Sequence, residues 1–283
     1  SYNLAVALIP ALVGAAAFSL VYNLVRLSGG AIRSAILFAL MAPLFIGLVS
    51  NLEGVMELVN ARGWGSEGFW QWLSIKGLDA PNVADSGFFP DQHWWWWRAT
   101  RVIDTVADGA SLDYTITEFP FFSFLLGDLH PHVSSLPFLL LTLAMGLNLF
   151  VSRERLGLSW MRANPWEVFA ITLTLGSLAF INIWDFPIFA VILVVLVLMK
   201  GYADWSGDLR GALVHSITLL VPVLTGAVLL FLPFYMTFDS QASGIGAVGE
   251  LGTRPLYFFL IWGLFLVISG TFLLRQLLTV PDL

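Results

Sequence analysis

Residues Leu4 to Val25, LAVALIPALVGAAAFSLVYNLV, form a run without a single charged side chain. Its length matches the roughly 20 apolar residues that an α-helix needs to cross the hydrocarbon core of a membrane. Six further stretches approach the same pattern: Ile32 to Val49, Leu136 to Val151, Val168 to Ile183, Pro187 to Met199, Leu213 to Phe238 and Leu256 to Leu274. We therefore expect an all-α integral membrane protein with about seven transmembrane helices.

The composition of the whole chain supports this fold class. Of 283 residues, 58% are hydrophobic and 11% are charged, whereas soluble domains average about 25% charged residues. The net charge of −6 excludes a phosphate-binding surface for nucleic acid, which needs clustered Lys and Arg. The absence of cysteine excludes disulfides and thiolate chemistry. Membrane lipid is the expected surrounding partner.

The distribution of charge predicts how the helices are oriented. The connections RLSGGAIR, SRERLGLSWMRANP and KGYADWSGDLR, together with Arg275, hold eight of the thirteen basic residues. Basic residues in short connections are retained on the cytoplasmic side. The opposite helix ends hold fourteen of the nineteen acidic residues. We expect this acidic face to be extracytoplasmic.

The longest connection, residues 51–119, is too long to be a simple link between two helices. Its first part, NLEGVMELVNARGWGSEGFWQWLSIKG, spaces apolar residues as in short amphipathic helices that lie on a membrane surface. A loop, GLDAPNVADSGFFPDQ, follows, and HWWWWRATRVIDTVADG at residues 93–109 again predicts a helix. We expect residues 51–119 to be an extracytoplasmic subregion of a single membrane domain covering residues 1–283.

Three ionisable residues precede one predicted transmembrane helix, in the sequence GDLHPHV: Asp128, His130 and His132. Pro131 disfavours a helical His130 and suits the first position of a helix. An extended segment would place the three side chains on one side, where they could bind a divalent metal ion or transfer protons. The alternative is that they only cap the helix in the headgroup region. Ionisable groups beside a membrane span favour function.

A tryptophan-rich motif, PDQHWWWWR at residues 90–98, is followed by Arg101. The indoles could form an interfacial aromatic belt, or one such as Trp97 could stack on a sugar face. Arg98 and Arg101, three residues apart, would lie on one face of a helix and could bind a phosphate.

Three further polar residues are candidate substrate contacts. Glu118 could act as a base or could form an ion pair with Arg98 or Arg101. In NIWDFP, Asp185 could cap the following helix, or Asn182 and Asp185 could line the same outward cavity as Asp128. These alternatives stay open at the level of sequence.

Together, WWWWR, TEFPFFSFLLGDLHPHV and INIWDFP resemble the YYY family of uncharacterised multi-pass membrane proteins of bacteria and archaea. The opening, SYNLAVALIPALVGAAAFSLVYNLVR, is similar to the segment that follows the family's tyrosine-rich motif. The resemblance covers essentially the whole chain. It implies a prokaryotic cytoplasmic membrane, and a chain that is an internal part of a longer protein.

This family is grouped with the GT-C glycosyltransferases, which transfer sugars from polyprenyl-phosphate donors on the extracytoplasmic side. The resemblance implies a GT-C-like fold in which acidic residues act as base or metal ligand and basic residues bind the lipid phosphate. It also implies that the first outward loop of that fold, with its carboxylate, precedes Ser1. We expect Asp128, His130 and His132 in the catalytic cavity, Arg98 and Arg101 near the donor phosphate, and a divalent metal ion as a candidate cofactor.

Two other functions fit the sequence. The chain could be a non-catalytic subunit that packs its helices against other membrane proteins. The histidines could also bind haem or a chlorophyll-type pigment, although two histidines that flank a proline are an unusual arrangement for such a cofactor.

Overall fold

The computed structural model describes residues 2–82, 87–90, 95–107, 110–239 and 252–279. The described residues are nearly all helical and separate into two compact units. The first contains residues Ser1–Gly47 and Gly127–Ser243, and the second contains Leu48–Leu126 and Gly244–Leu283.

The helices of the first unit are mostly long and apolar. They are α1 (Tyr2–Leu27), α2 (Ile32–Leu48), α7 (Pro131–Val151), α8 (Leu158–Ala163), α9 (Pro165–Ile181), α10 (Asp185–Asp204), α11 (Leu209–Leu230) and α12 (Leu232–Thr237). Helices α7, α9, α10 and α11 pack on one another around Leu175, Leu178 and Leu219, which are almost fully buried. α1 packs on α7.

The second unit contains short elements and one long helix. They are α3 (Glu53–Ala61), α4 (Glu67–Leu73), α5 (Trp95–Ala99), β1 (Val106–Ala107), β2 (Ala110–Ser111), α6 (Pro120–Leu126) and α13 (Pro255–Thr279). β1 and β2 pair antiparallel. Trp70, Leu73 and Tyr257 are central in its core, where the Tyr257 hydroxyl donates to the Ser74 carbonyl at 2.7 Å.

All seven predicted apolar stretches are helical, but they are not equivalent as membrane spans. Among the described residues, five helices are long and apolar enough to cross a membrane: α1, α7, α10, α11 and α13. α2 and α3 would provide a sixth span only as a broken pair, with a bend of 71° between them. α9, with 17 residues, is a shorter apolar helix. The membrane fold class is thus supported, with five or six candidate spans.

Two local expectations are wrong. The predicted span from Leu213 to Phe238 is interrupted at Phe231, and Pro233 lies at the start of the new helix α12. The predicted helix over residues 93–109 is limited, in its described part, to α5. β-Branched residues follow α5 in the sequence TRVIDTV, and these favour extended backbone, as β1 shows.

Candidate functional site

A carboxylate and an imidazole meet immediately before α7. The Asp128 Oδ2 atom lies 2.5 Å from the His130 Nδ1 atom, and both side chains are partly exposed. Gly127 has a φ of +66°, a left-handed conformation that glycine adopts without strain. The Tyr2 hydroxyl donates a hydrogen bond of 2.7 Å to the Gly127 carbonyl, so α1 supports this turn within the first unit.

The expected role of Pro131 is confirmed. It is the first residue of α7, and His130 before it is extended, with φ −57° and ψ 153°. The His130 carbonyl accepts the first hydrogen bonds of the helix, from the Val133 and Ser134 amides, each at 3.0 Å. The rings of His130 and His132 lie 5.6 Å apart. His132 is the second residue of α7, so the expectation that one extended segment holds all three side chains is wrong for His132.

This arrangement suits proton transfer. If the Nδ1–H group of His130 donates to Asp128, the Nε2 atom of the neutral ring is left as a proton acceptor. The carboxylate then orients the ring. Metal binding has less support: among the described residues, no group of three His, Asp or Glu side chains could hold a metal ion.

Asn182 and Asp185 form a local pair in the first unit. The Asn182 amide donates to Asp185 Oδ2 at 2.9 Å, and Asp185 is the first residue of α10 rather than its side-chain cap. A cavity of about 400 Å³ lies beside this turn, and its lining residues are Ile183, Trp184, Phe186, Pro187, Val228 and Tyr235. Neither Asn182, Asp185 nor Asp128 lines that cavity, so it does not join these three residues.

Arg98 and Arg101, both in the second unit, have different surroundings. α5 ends at Ala99, so the expectation that Arg98 and Arg101 share one helical face is wrong. Arg101 lies 4.6 Å from the Trp97 ring and 3.4 Å from Glu118 Oε1. The predicted ion pair of Glu118 is thereby confirmed.

The tryptophans pack against phenylalanines within the second unit. Trp95 stacks on Phe121, and Trp96 and Trp97 contact Phe122, which is fully buried. Trp97 itself stays 44% exposed. His93 and Trp94 of the motif lie outside the described residues.

A buried cluster of charges in the second unit was missed by the sequence reasoning. Glu53 and Glu57 of α3 are 0% and 2% exposed. Arg98 binds Glu57 through both oxygens, with Nε–Oε1 at 2.5 Å and Nη2–Oε2 at 2.9 Å. Its Nη1 atom donates to the Gly77 carbonyl at 2.7 Å. The local signal was the spacing of four residues between the glutamates, which places them on one helical face.

Comparison with known proteins identifies the family. No curated protein and no solved structure matches the chain. A family model described as "Uncharacterized membrane protein (DUF2298)" matches residues 1–280. Because this match covers nearly the entire sequence, the chain belongs to this family of uncharacterised membrane proteins.

Proposed function

We propose that the protein is a GT-C-like membrane glycosyltransferase that uses a polyprenyl-phosphate sugar donor on the extracytoplasmic face of a prokaryotic cytoplasmic membrane. The observation that carries the proposal is the 2.5 Å contact between Asp128 and His130. The motif resemblance suggests the reaction class. The acidic helix ends suggest that the site faces the extracytoplasmic side of the membrane. Family membership supports the membrane setting alone.

In the proposed reaction, His130 is the general base. Its Nε2 atom removes the proton from an acceptor hydroxyl while the hydroxyl oxygen bonds to the anomeric carbon of the sugar. The bond from that carbon to the donor phosphate breaks, and the phosphate leaves with the electron pair. Asp128 stabilises the imidazolium that forms, and His132 would contact the substrate.

The arginines would bind the donor phosphate only by exchanging partners. The Arg101 guanidinium donates to the Tyr114 hydroxyl at 2.8 Å and also contacts Thr100 and Glu118. A phosphate would compete with Glu118 for it. Arg98 would have to release Glu57. Arg101 is therefore the preferred phosphate ligand, and Trp97 beside it is the proposed stacking surface for a sugar.

The test is transfer of a radiolabelled sugar by the purified full-length protein in lipid nanodiscs, with a panel of polyprenyl-phosphate sugars. His130→Gln and Asp128→Asn should each lower turnover, by about 10²-fold or more for the loss of a general base. His215→Gln is the matched control, because the His215 ring bonds to the Gly211 carbonyl in α11, away from this motif. Full activity in both motif variants would overturn the assignment.

A second candidate, a non-catalytic subunit of a membrane complex, is favoured by the end of α13. Every residue from Phe265 to Thr279 is exposed, although most are apolar. Helices of other subunits, or lipid alone, could cover this surface. Mild-detergent purification distinguishes the two functions: a subunit should retain other membrane proteins at fixed stoichiometry, whereas the proposed transferase should not.

A further inference from the structure

The charge cluster of the second unit has more buried acid than buried base. Glu53 and Glu57 are fully buried on α3, which at nine residues is too short to cross a membrane by itself. Arg98 on α5 is a basic group that binds Glu57. Two ionised carboxylates against one guanidinium would leave a net negative charge in the protein interior.

Arg98 forms an ion pair with Glu57. It binds both oxygens of that carboxylate and also the Gly77 carbonyl. Gly77 has a φ of +85°, and a Cβ atom there would lie 2.7 Å from Arg98 Nη1, so the backbone approaches the guanidinium closely. This geometry gives both Glu57 oxygens a charge-assisted hydrogen bond from the same guanidinium.

Glu53 has no comparable partner. Among the described residues, neither of its carboxyl oxygens meets a hydrogen-bond donor. Its backbone amide donates to the Asn51 side chain at 3.2 Å, which fixes the position of the residue but leaves the carboxyl group unsatisfied. Glu57 lies about one turn further along the same helix, on the same face as Glu53. Two carboxylates both accept hydrogen bonds, so a bond between them requires a proton.

Electrostatics favours the neutral form of Glu53. Burial, followed by the neighbouring Glu57 charge, raises the pKa of the Glu53 carboxyl well above its usual range, and the opposing effect of Arg98 is smaller. The negative charge of Asp79 also acts on Arg98 and favours the protonated guanidinium that binds Glu57. An isolated buried carboxylate is costly enough that such groups usually take up a proton instead.

We propose that Glu53 and Glu57 form a proton-binding site. Glu53 takes up one proton when the second unit folds, keeps it, and uses it to donate a hydrogen bond to the Glu57 carboxylate. The ligand is the proton, and the site gives the second unit a stability that depends on pH. This proposal is independent of the transferase function, because no substrate takes part.

The sign of the pH dependence follows from the raised pKa. Between the ordinary glutamate pKa, about 4.3, and the higher value in the folded state, folded Glu53 binds a proton that the unfolded chain has released. The stabilisation is complete below the lower value and is lost as pH rises through the folded value. In that interval the unfolding equilibrium constant should rise by up to tenfold per pH unit.

The first test is thermal unfolding of the full-length protein in detergent from mildly acidic to alkaline pH. The wild type should lose stability with rising pH. Glu53→Gln, a neutral side chain of the same shape, should depend less on pH, because it takes up about one proton fewer on folding. Glu67→Gln is the matched control, because Glu67 is exposed on α4. An unchanged slope in Glu53→Gln would overturn the proposal.

The second test is infrared spectroscopy of the wild type at about pH 6, where exposed carboxyl groups, with a pKa near 4.3, are already ionised. A protonated carboxyl band that shifts in D₂O is expected, and it should be missing in Glu53→Gln but present in Glu67→Gln. Absence of the band in the wild type would refute the proposal, even if the Glu53→Gln variant did not fold.

Discussion

At the scale of single residues, the arginine at position 98 matters through its shape as well as its charge. Its fork binds both Glu57 oxygens and leaves Nη1 for the Gly77 carbonyl. A lysine ammonium is a compact point charge that cannot reproduce this planar set of donors. The contacts thus need a guanidinium specifically.

Arg98→Lys should therefore destabilise the protein by about 2 kcal/mol, because charge-assisted hydrogen bonds inside the protein are lost although the charge is kept. Thermal unfolding in detergent measures this change. Arg210→Lys is the control: Arg210 is exposed, and its substitution should stay within about 0.5 kcal/mol. Equal melting temperatures for both variants would contradict the prediction.

Residue-level prediction from sequence succeeded where partners are close in the chain. The Glu118 ion pair with Arg101 joins residues on either side of one short segment, and the sequence offered it as an alternative. Glu57 and Arg98 are 41 residues apart. The sequence shows two glutamates on one face of α3, but no local pattern states that they are buried or which arginine pairs with Glu57.

At the scale of elements, the backbones of α9 and α11 approach each other closely at Gly176. A Cβ atom at Gly176 would lie 2.5 Å from the Ala227 carbonyl oxygen and 2.8 Å from the Phe231 ring. Small residues let helix backbones in membranes come together in this way. The contact requires glycine for space and not for its conformational freedom.

Gly176→Ala should destabilise the protein by about 1–2 kcal/mol, since steric overlap with α11 outweighs the helix-propensity gain of about 1 kcal/mol. Gly47→Ala in α2 is the matched control: no atom lies within 4 Å of its Cβ position, so alanine should be neutral or stabilising. Melting temperatures in the same detergent give the comparison. A Gly176→Ala variant as stable as Gly47→Ala would show that the helices separate at little cost.

Apolar runs and prolines in the sequence predicted where the helices lie, but they did not predict where a helix is interrupted. Pro131 marks the start of α7 as expected. Pro233 was hidden inside a long apolar run, where proline is common in membrane helices, yet here a new helix begins beside it. Apolar runs report burial or lipid contact, but they do not report where a helix bends.

At the scale of the whole molecule, the number of membrane crossings depends on α9 and on the α2–α3 pair. α9 has 17 residues, about 25 Å of helix, against a hydrocarbon core of about 30 Å. Its sequence neighbours α7 and α10 are both long enough to cross. If α9 also crosses, the arginine-rich connections before α9 and after α10 lie on one side of the membrane.

This topology can be tested with single cysteines, because residues 1–283 contain none. Ser28→Cys, Glu154→Cys and Ser206→Cys should react with a membrane-impermeant maleimide from the cytoplasmic side, and Gln71→Cys and Trp184→Cys from the opposite side. Detergent permeabilisation, after which all five exposed positions should react, is the control.

The labelling pattern distinguishes the alternatives. Each helix that fails to cross changes the side of the membrane from which a different set of cysteines reacts. If α9 does not cross, Glu154→Cys and Trp184→Cys react from the same side, and Ser206→Cys reacts from the side opposite Ser28→Cys. If the α2–α3 pair is re-entrant, Gln71→Cys reacts from the same side of the membrane as Ser28→Cys. Seven crossings therefore require Ser28→Cys and Ser206→Cys to agree and Gln71→Cys to differ from both, and any other pattern would contradict the arrangement that the arginines predict.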